Sequence, residues 1–329
     1  MDKIELLDLI AKGESSFVEF KADTSDIKAE TIAEYVVSFA NAKGGKLLLE
    51  ELRRLFQSSG LVHFEATPVS RSKLQDLNEK LLIEYFKRVR GIEYDEKNED
   101  AYISKKADWE KLLLDNQLLS DELGTVNCTL AGLLLFGRKD RIKLLVPQSG
   151  VSAVEYDNSN ADVAGIYRKE INGSLLSLRS DAGEIIEHGI IDLSVDFILR
   201  ARSKEKIEGV QRVVEYIYPP EVLREAIVNA LAHRDYTIGG TNIGMWLFPD
   251  RLEIESPGTL PNTITIERMK NGARYHRNQM LVNYLRDMNF IEGSGRGVSR
   301  KIIRGMLKHN GKEPMFEIRG ESLRLTLFA

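Results

Sequence analysis

The sequence predicts an α+β protein, a mixed α/β chain whose helices and strands do not alternate regularly. Helical periodicity and strand-like alternation both occur along the whole chain. No internal repeat is visible, which argues against a solenoid. The chain has 329 residues, of which 43% are hydrophobic and 29% are charged. This composition is typical of globular proteins, and the length predicts more than one domain.

The N-terminal part is predicted to hold two helices and two strands. Apolar residues at helical spacing predict helices over 4–10 and 28–41, and strands are predicted at 17–20 and 46–49. The second strand passes straight into Glu50 and a helical pattern, with no turn residue between them. Because a strand is expected to end in turn residues, this junction indicates that a hairpin is missing there.

The middle part is predicted to be mostly helical. Its predicted elements are strands at 61–69 and 151–156, helices at 74–89, 106–119, 130–136 and 166–188, and an extended segment at 190–199.

In the C-terminal part, Pro219 and Pro220 open a helix over 221–233, since proline suits the first helical turn. The further predicted elements are strands at 244–249 and 251–255, helices at 278–288 and 298–308, and a closing hairpin of 315–319 and 323–328. We therefore divide the chain into predicted domains at 1–100, 101–205 and 206–329.

Charge and composition exclude several classes of protein. The chain has 46 Lys and Arg residues against 50 Asp and Glu residues, a net charge of −4. This excludes a generally basic coat for nucleic acid but allows a local basic groove. No apolar run is long enough to span a membrane, and the acidic N-terminus is unlike a signal peptide. Cys128 is the single cysteine, so we expect a protein of the reducing cytoplasm.

The helix after Pro220 carries polar residues at four-residue spacing. Glu225, Asn229 and His233 therefore share one face. A carboxylate and a carboxamide one turn apart can serve a hydrated Mg²⁺ and orient a water molecule. The alternative interpretation is a solvated polar face.

Two later segments contain glycines. The glycine box, GSGRGV at 293–298, precedes a helical run, so its backbone N–H groups can approach phosphate oxygens. The PG loop, Ser256-Pro257-Gly258 within IESPGTLP, ends a predicted strand. Taken alone, each segment is equally well explained as a turn.

In order, these three motifs resemble those of the GHKL (Bergerat-fold) ATPases. The runs REAIVNALAHRDY, IESPGTLP and IEGSGRGVSRK also resemble a bacterial group of transcriptional regulators that carry such a domain. The resemblance covers about 206–329 and implies a Bergerat α/β sandwich that binds ATP and Mg²⁺. It implies that Asn229 binds the nucleotide-associated metal and that Glu225 activates water there. The nucleotide contacts that it implies are Asn229, Ser256, Gly258, Gly293, Gly295 and Gly297.

One residue departs from the family pattern. Ser256 stands in the segment where GHKL ATPases have an Asp that hydrogen-bonds adenine. The resemblance therefore leaves adenine selectivity and hydrolysis open.

The segment ESSFVEFK near the N-terminus combines two carboxylates with a lysine. Glu19 and Lys21 are two apart on a predicted strand and share a face, and Glu14 lies five residues before Glu19. Carboxylates that hold a divalent ion beside a lysine can support cleavage of a phosphodiester. An exposed strand with an ion pair is the alternative.

With AEYVVSFANAKGGKLLL added, residues 10–100 resemble a Schlafen-type AlbA-like domain. In bacterial relatives this domain is regarded as DNA-binding. In nuclease-active Schlafen relatives the pattern E-x-x-x-x-E-x-K carries the catalytic acids and the lysine. That resemblance implies Glu14, Glu19 and Lys21 as catalytic residues, with Mg²⁺ or Mn²⁺ at the two carboxylates.

Basic residues supply candidate contacts to nucleic acid. In the N-terminal set these are Arg71, Lys73, Lys87, Arg88 and Arg90. A second set lies at or after the glycine box and consists of Arg296, Arg300, Lys301, Arg304 and Lys308. Residues 296, 300, 304 and 308 are four apart and form one basic stripe on a predicted helix, suited to nucleotide phosphates or nucleic acid. Solvated surface is the alternative for both sets.

These observations favour an ATP-binding, nucleic-acid-binding transcriptional regulator, in which nucleotide at the C-terminal domain controls the N-terminal domain. Its expected partners are ATP, DNA or RNA, and further copies of the chain in a homo-oligomer. A metal-dependent nuclease acting on RNA or DNA, with a sensor ATPase-like domain, is the alternative. A structural module with a vestigial ATP site is the third interpretation, so enzymatic activity stays open.

Overall fold

The computed structural model describes residues 18–21, 46–49, 63–98, 101–160, 164–208, 211–260, 264–273, 276–291 and 297–329. The chain divides into two compact units, 1–63 and 64–329.

In the first unit, β1 (Val18–Lys21) pairs in parallel with β2 (Lys46–Leu49), and Glu19 lies opposite Leu47. Both predicted strands are therefore confirmed. The predicted helices at 4–10 and 28–41 and the junction at Glu50 lie outside the described residues.

The second unit contains helices and strands in mixed order. Its α-helices are α1 (Glu79–Tyr85), α2 (Lys106–Asp115), α3 (Leu130–Phe136), α4 (Lys139–Leu145), α5 (Ile190–Ala201), α6 (Pro220–His233), α7 (Ile266–Lys270), α8 (Gln279–Asp287) and α9 (Arg304–Asn310). Shorter turns of 3-10 or π-helix are Phe64–Ala66, Leu74–Asp76, Phe86–Arg90 and Gly297–Ile303.

The strands of this unit follow the same mixed order. They are β3 (Leu119–Glu122), β4 (Thr125–Cys128), β5 (Val151–Glu155), β6 (Tyr167–Ile171), β7 (Leu178–Arg179), β8 (Ile185–Glu187), β9 (Ser203–Glu208), β10 (Gln211–Tyr216), β11 (Ile243–Leu247), β12 (Arg251–Pro257), β13 (Met315–Arg319) and β14 (Ser322–Phe328). The α+β fold class predicted from the sequence is confirmed.

A six-stranded mixed sheet organises the second unit. Its strand order is β13-β14-β12-β11-β5-β6. Strands β5 and β11 pair in parallel, with Val151 opposite Ile243, and the other neighbours are antiparallel. The sheet thus takes two strands from the middle of the chain and four from its C-terminal part. The predicted domain boundaries stay a prediction.

Alternation along the strands gives the sheet two different faces. On one face, apolar residues such as Ala153, Met245 and Ile254 are buried, and helices α5 and α6 pack over this side. These three strand residues belong to one hydrophobic core, whose residues come from positions between Leu77 and Leu327 of the sequence. On the other face, a small separate cluster is formed by Val154, Tyr156 and Phe248, with Trp246 against it.

Three predictions about local structure are wrong. The predicted strand at 61–69 contains the 3-10 turn Phe64–Ala66, because Thr67 hydrogen-bonds back to the carbonyl of Phe64 through its N–H and its hydroxyl. The predicted helix at 166–188 is instead β6, β7 and β8. Gly173 and Gly183 adopt positive φ in the turns that divide it, a turn signal that outweighs the helical spacing.

The third wrong prediction is the extended segment at 190–199, which forms α5. Its β-branched residues favour a strand, but its apolar residues also recur at helical spacing. They bury one side of the helix against β5 and α6. Tertiary packing therefore overrides the intrinsic β-propensity here.

Candidate functional site

A cavity of about 160 Å³ lies between α6, the 297–303 π-helix and the strands β12, β13 and β14. Most of its lining is apolar, with residues such as Ile254, Phe316 and Leu325 supplied by the sheet. Its polar lining residues in the described part of the chain are Glu225, Asn229, His233, Ser256, Thr259, His276, Arg277 and Ser299. The helix motif, the PG loop and the described end of the glycine box, Gly297 and Val298, therefore meet at one cavity.

Helix α6 brings three of the predicted residues to this cavity. Pro220 starts the helix, and residues such as Leu223 and Ile227 bury its apolar side in the core. Glu225, Asn229 and His233 all line the cavity, as their four-residue spacing predicts.

The carboxylate of Glu225 is buried and bonded at both of its oxygens. Asn229 Nδ2 donates to Glu225 Oε1 at 2.9 Å and to the backbone carbonyl of Glu225 at 2.7 Å. The ammonium group of Lys301 lies 3.4 Å from Glu225 Oε2. Because the amide nitrogen of Asn229 is used on Glu225, its Oδ1 is left as a hydrogen-bond or metal acceptor.

Gly297, the last glycine of the glycine box, lies directly against Glu225. A Cβ atom added at Gly297 would stand 1.8 Å from Glu225 Oε1. A second close approach follows at Gly305, where an added Cβ would stand 2.6 Å from Val222 Cγ2. The two glycines let the helical run 297–310 pack closely against α6. Gly293 and Gly295 lie outside the described residues.

The PG loop, at the end of β12, is hydrogen-bonded to α6 and to the segment that follows α6. Ser256 lines the cavity, but its hydroxyl donates to the carbonyl of Ala230 at 2.7 Å. The N–H of Asp235 donates to the carbonyl of Pro257 at 2.7 Å. Gly258 has a φ of +111° and an added Cβ would stand 2.8 Å from Asp235 Cβ, so glycine is required there for two reasons.

Two histidines stack at one side of the cavity. The ring centroids of His233 and His276 are 5.7 Å apart at an interplanar angle of 18°. Burial, with smaller contributions from His276 and Arg277, lowers the pKa of His233 to about 3. His233 is therefore a neutral imidazole near pH 7. Beside it, Arg277 forms a buried ion pair with Asp235 and donates to the carbonyl of Thr259 at 2.6 Å.

Asn278 closes the C-terminal end of α6. Its buried side chain donates to the carbonyls of Ala232 and Arg234, at 3.0 and 2.8 Å. The guanidinium of Arg234 is itself buried and donates to the carbonyls of Ile238 and Thr241. The bonds from Asn278 satisfy carbonyls that the helix end leaves without an intrahelical partner, and those from Arg234 hold the loop that follows the helix.

The sequence analysis does not predict the contributions of His276, Arg277 and Asn278 to the site, nor the pairing of Lys301 with Glu225. The sequence contains one hint of these contacts, because two similar tripeptides occur in it, HRD at 233–235 and HRN at 276–278. In the structure the first residues of the two tripeptides stack and the third residue of HRD pairs with the second of HRN. Spacing along one helix cannot show such pairing between distant segments.

The predicted nuclease residues are only partly described. Glu19 and Lys21 occupy alternate positions of β1, and Glu14 lies outside the described residues. Where the structure describes the chain, no group of three or more His, Cys, Asp or Glu residues is placed to hold a metal ion. In that same part of the chain no helix is long and apolar enough to cross a membrane.

Most of the basic residues proposed for nucleic acid that the structure describes are exposed, and several are paired with carboxylates; Arg296 lies outside the described residues. Lys87 lies 3.3 Å from Glu93, Arg88 lies 3.2 Å from Glu84, and Arg90 lies 2.6 Å from Asp287. Such exposed pairs are weak. Exposed residues of both sets in the described part of the chain, beyond those pairs, are Arg71, Lys73, Arg300, Arg304 and Lys308.

Residues of the cavity fit a Mg²⁺-nucleotide. Asn229 Oδ1 is a hard oxygen ligand, and Mg²⁺ at nucleotide sites is held largely by phosphate oxygens and water, with few protein ligands. The backbone of Gly297 lies so close to Glu225 that a Cβ atom at this position would collide with the carboxylate. The apolar lining suits a nucleobase. Asn229 would hold the metal, and the PG loop and glycine box would contact the nucleotide.

The fold and the cavity define an α+β protein with an ATPase-like C-terminal part. Residues 240–327 match the protein family described as "Putative ATP-dependent DNA helicase recG C-terminal". The match supports a C-terminal ATP-binding domain. It includes the PG loop and the glycine box and begins after α6.

A solved structure also resembles this chain, that of the DIP2311 protein from Corynebacterium diphtheriae. The TM-score is 0.55 and the sequence identity is 20%, over 84% of this chain and 49% of that one. This likeness shows a shared fold, and the chain spans about half the length of that protein. No curated protein matches the chain.

Proposed function

We propose that this chain is a nucleic-acid-binding regulator whose C-terminal part binds ATP with Mg²⁺ in the cavity beside α6. The single observation that carries the nucleotide site is the contact of Asn229, Glu225 and Gly297, which joins the helix motif to the glycine box. The family match at 240–327 supports it independently.

Each residue has a definite part in this proposal. Asn229 offers Oδ1 to the metal, while its Nδ2 holds the carboxylate of Glu225 in place. Glu225 is the candidate for orienting a water molecule near the terminal phosphate. The bound metal would neutralise phosphate charge. Ser256 contributes through the position of the PG loop, because its hydroxyl is bonded to Ala230.

Thermal unfolding with nucleotide tests the site. A ligand at about 100 times its Kd stabilises a protein by about 2.7 kcal/mol, so ATP with Mg²⁺ should raise the melting temperature of the wild type. Asn229→Ala should abolish this rise. Asn283→Ala, at an exposed position of α8, is the matched control and should keep it. An unchanged melting temperature of the wild type at millimolar ATP and Mg²⁺ would overturn the proposal.

The nucleic-acid part of the proposal rests on the resemblance of residues 10–100 and on the exposed basic residues. We expect binding of DNA or RNA that weakens as salt rises, because phosphate contacts release counterions. Saturating ATP should change that affinity in the wild type and leave it unchanged in Asn229→Ala. Titration of a labelled duplex and a labelled RNA at two salt concentrations measures both effects. Affinity that does not depend on salt would contradict phosphate contacts.

A metal-dependent nuclease is the second candidate. The observation that favours it is that Glu19 and Lys21 both belong to the strand β1, at positions two residues apart. Cleavage of RNA or DNA with Mn²⁺ or Mg²⁺ should be lost in Glu14→Ala and Glu19→Ala and kept in Asn229→Ala. Failure of the wild type to cleave either substrate with either metal would eliminate this candidate.

A further inference from the structure

We propose that Lys301 distinguishes a nucleoside triphosphate from a diphosphate, by exchanging its ion pair with Glu225 for a contact with the terminal phosphate. This inference rests on the proposed nucleotide-binding function and names the cation that gives the site its specificity.

The first support is the environment of the Glu225 carboxylate. Its side chain is 4% exposed, and one oxygen accepts from Asn229 while the other faces the ammonium group of Lys301. A buried carboxylate is unfavourable without a compensating positive charge. Lys301 supplies that charge in this structure, so its departure requires another source of positive charge, which the Mg²⁺ ion held by Asn229 would supply.

The second support is a comparison of Arg277, which lines the cavity, with Lys301, which pairs with the lining residue Glu225. Arg277 is 10% exposed and is held by Asp235 and by the carbonyl of Thr259. Lys301 is 29% exposed, and its 3.4 Å separation from Glu225 is longer than the 2.7–2.9 Å of a strong charge-assisted hydrogen bond. A lysine ammonium on a flexible stem changes partners more easily than a bidentate guanidinium. Of these two residues, the more exposed and more flexible Lys301 is the one suited to exchange Glu225 for a phosphate group.

The third support is the position of Lys301 in the fold. It belongs to the π-helix that begins at Gly297, the residue in contact with Glu225, and Val298 and Ser299 of that helix line the cavity. Its ammonium group lies 3.4 Å from Glu225, a polar lining residue of a mostly apolar cavity. We expect the phosphates beside Glu225 and Asn229 and the base against the apolar lining. A triphosphate carries one more anionic group toward Lys301 than a diphosphate does.

Binding of ATP and ADP, each with Mg²⁺, to the full chain by isothermal titration calorimetry tests the inference. We expect the wild type to bind ATP about tenfold more tightly than ADP, which corresponds to about 1.4 kcal/mol. Lys301→Met should bring the two affinities together by weakening ATP alone. Lys301→Arg should restore part of the preference. Lys143→Met, at an exposed position of α4, is the control and should keep the preference for ATP.

Lys301→Met leaves the buried carboxylate of Glu225 without its cation and could therefore fold poorly, so a double variant serves as a second test. In Glu225→Gln with Lys301→Met, no unpaired buried carboxylate remains, and the ATP preference should be absent in this variant too. An equal loss of ATP and ADP affinity in Lys301→Met, or an unchanged ratio, would overturn the inference and leave nucleotide binding standing. Absence of binding of either nucleotide to the wild type would overturn the proposed function and this inference with it.

Discussion

Replacement of Gly297 by alanine tests the contact between the glycine box and α6. The added Cβ would stand 1.8 Å from Glu225 Oε1 and 2.7 Å from Glu225 Cδ, distances that van der Waals contact does not allow. Either the Glu225 side chain or the helical run from Gly297 must shift. Overpacking of this kind costs about 1–3 kcal/mol. In a helix without such a neighbour, a glycine-to-alanine change stabilises by about 0.4–1 kcal/mol.

The assay is chemical denaturation of Gly297→Ala beside Gly239→Ala, whose added Cβ has no atom within 4 Å. We expect Gly297→Ala to lose about 1–3 kcal/mol of unfolding free energy and to bind ATP more weakly, and the control to lose little. In a Glu225→Ala background the colliding atoms are gone, so the cost of Gly297→Ala should largely disappear. A Gly297→Ala variant as stable as the wild type, or an equal cost in both backgrounds, would refute the reasoning.

Two further predictions concern the side of the cavity formed by the two tripeptides. Asn278→Ala should lower the unfolding free energy, measured by urea titration, by about 2–3 kcal/mol, because two buried carbonyls lose their hydrogen-bond donor. A loss of less than about 0.5 kcal/mol would contradict this expectation. Acid should destabilise the protein through His233. Free histidine titrates near 6.5 and the folded His233 at about 3, so the unfolded state takes up the proton first and stability falls as the pH falls below about 6.5. Between about pH 7.5 and about pH 5 the unfolding free energy of His233→Gln should therefore drop less than that of the wild type, and the two drops should differ by at most about 2 kcal/mol. Equal drops in the two proteins would contradict a neutral imidazole at His233.

Prediction of local structure from the sequence fails most clearly at 166–201, where strands and a helix replace the predicted elements. At 166–188 helical spacing competes with the turn glycines Gly173 and Gly183, and the turns decide the structure. At 190–199 the β-propensity of branched residues competes with helical spacing of apolar residues, and packing of α5 against β5 and α6 decides between them. Where one signal was strong, as in α3 between Thr129 and Gly137, the predicted helix at 130–136 has the observed bounds.

The sequence by itself determined the α+β class, the helix α6 with Glu225, Asn229 and His233 on one face, and the PG loop and glycine box as the segments expected beside it. These features depend on residue spacing within one element, which a linear sequence displays directly. Tertiary structure decided the parallel pairing of β5 with β11 and the contacts of Gly297, Lys301 and Arg277 with α6 and the segment after it. Such contacts join residues far apart in the chain, and they depend on which surfaces fit together when the core closes.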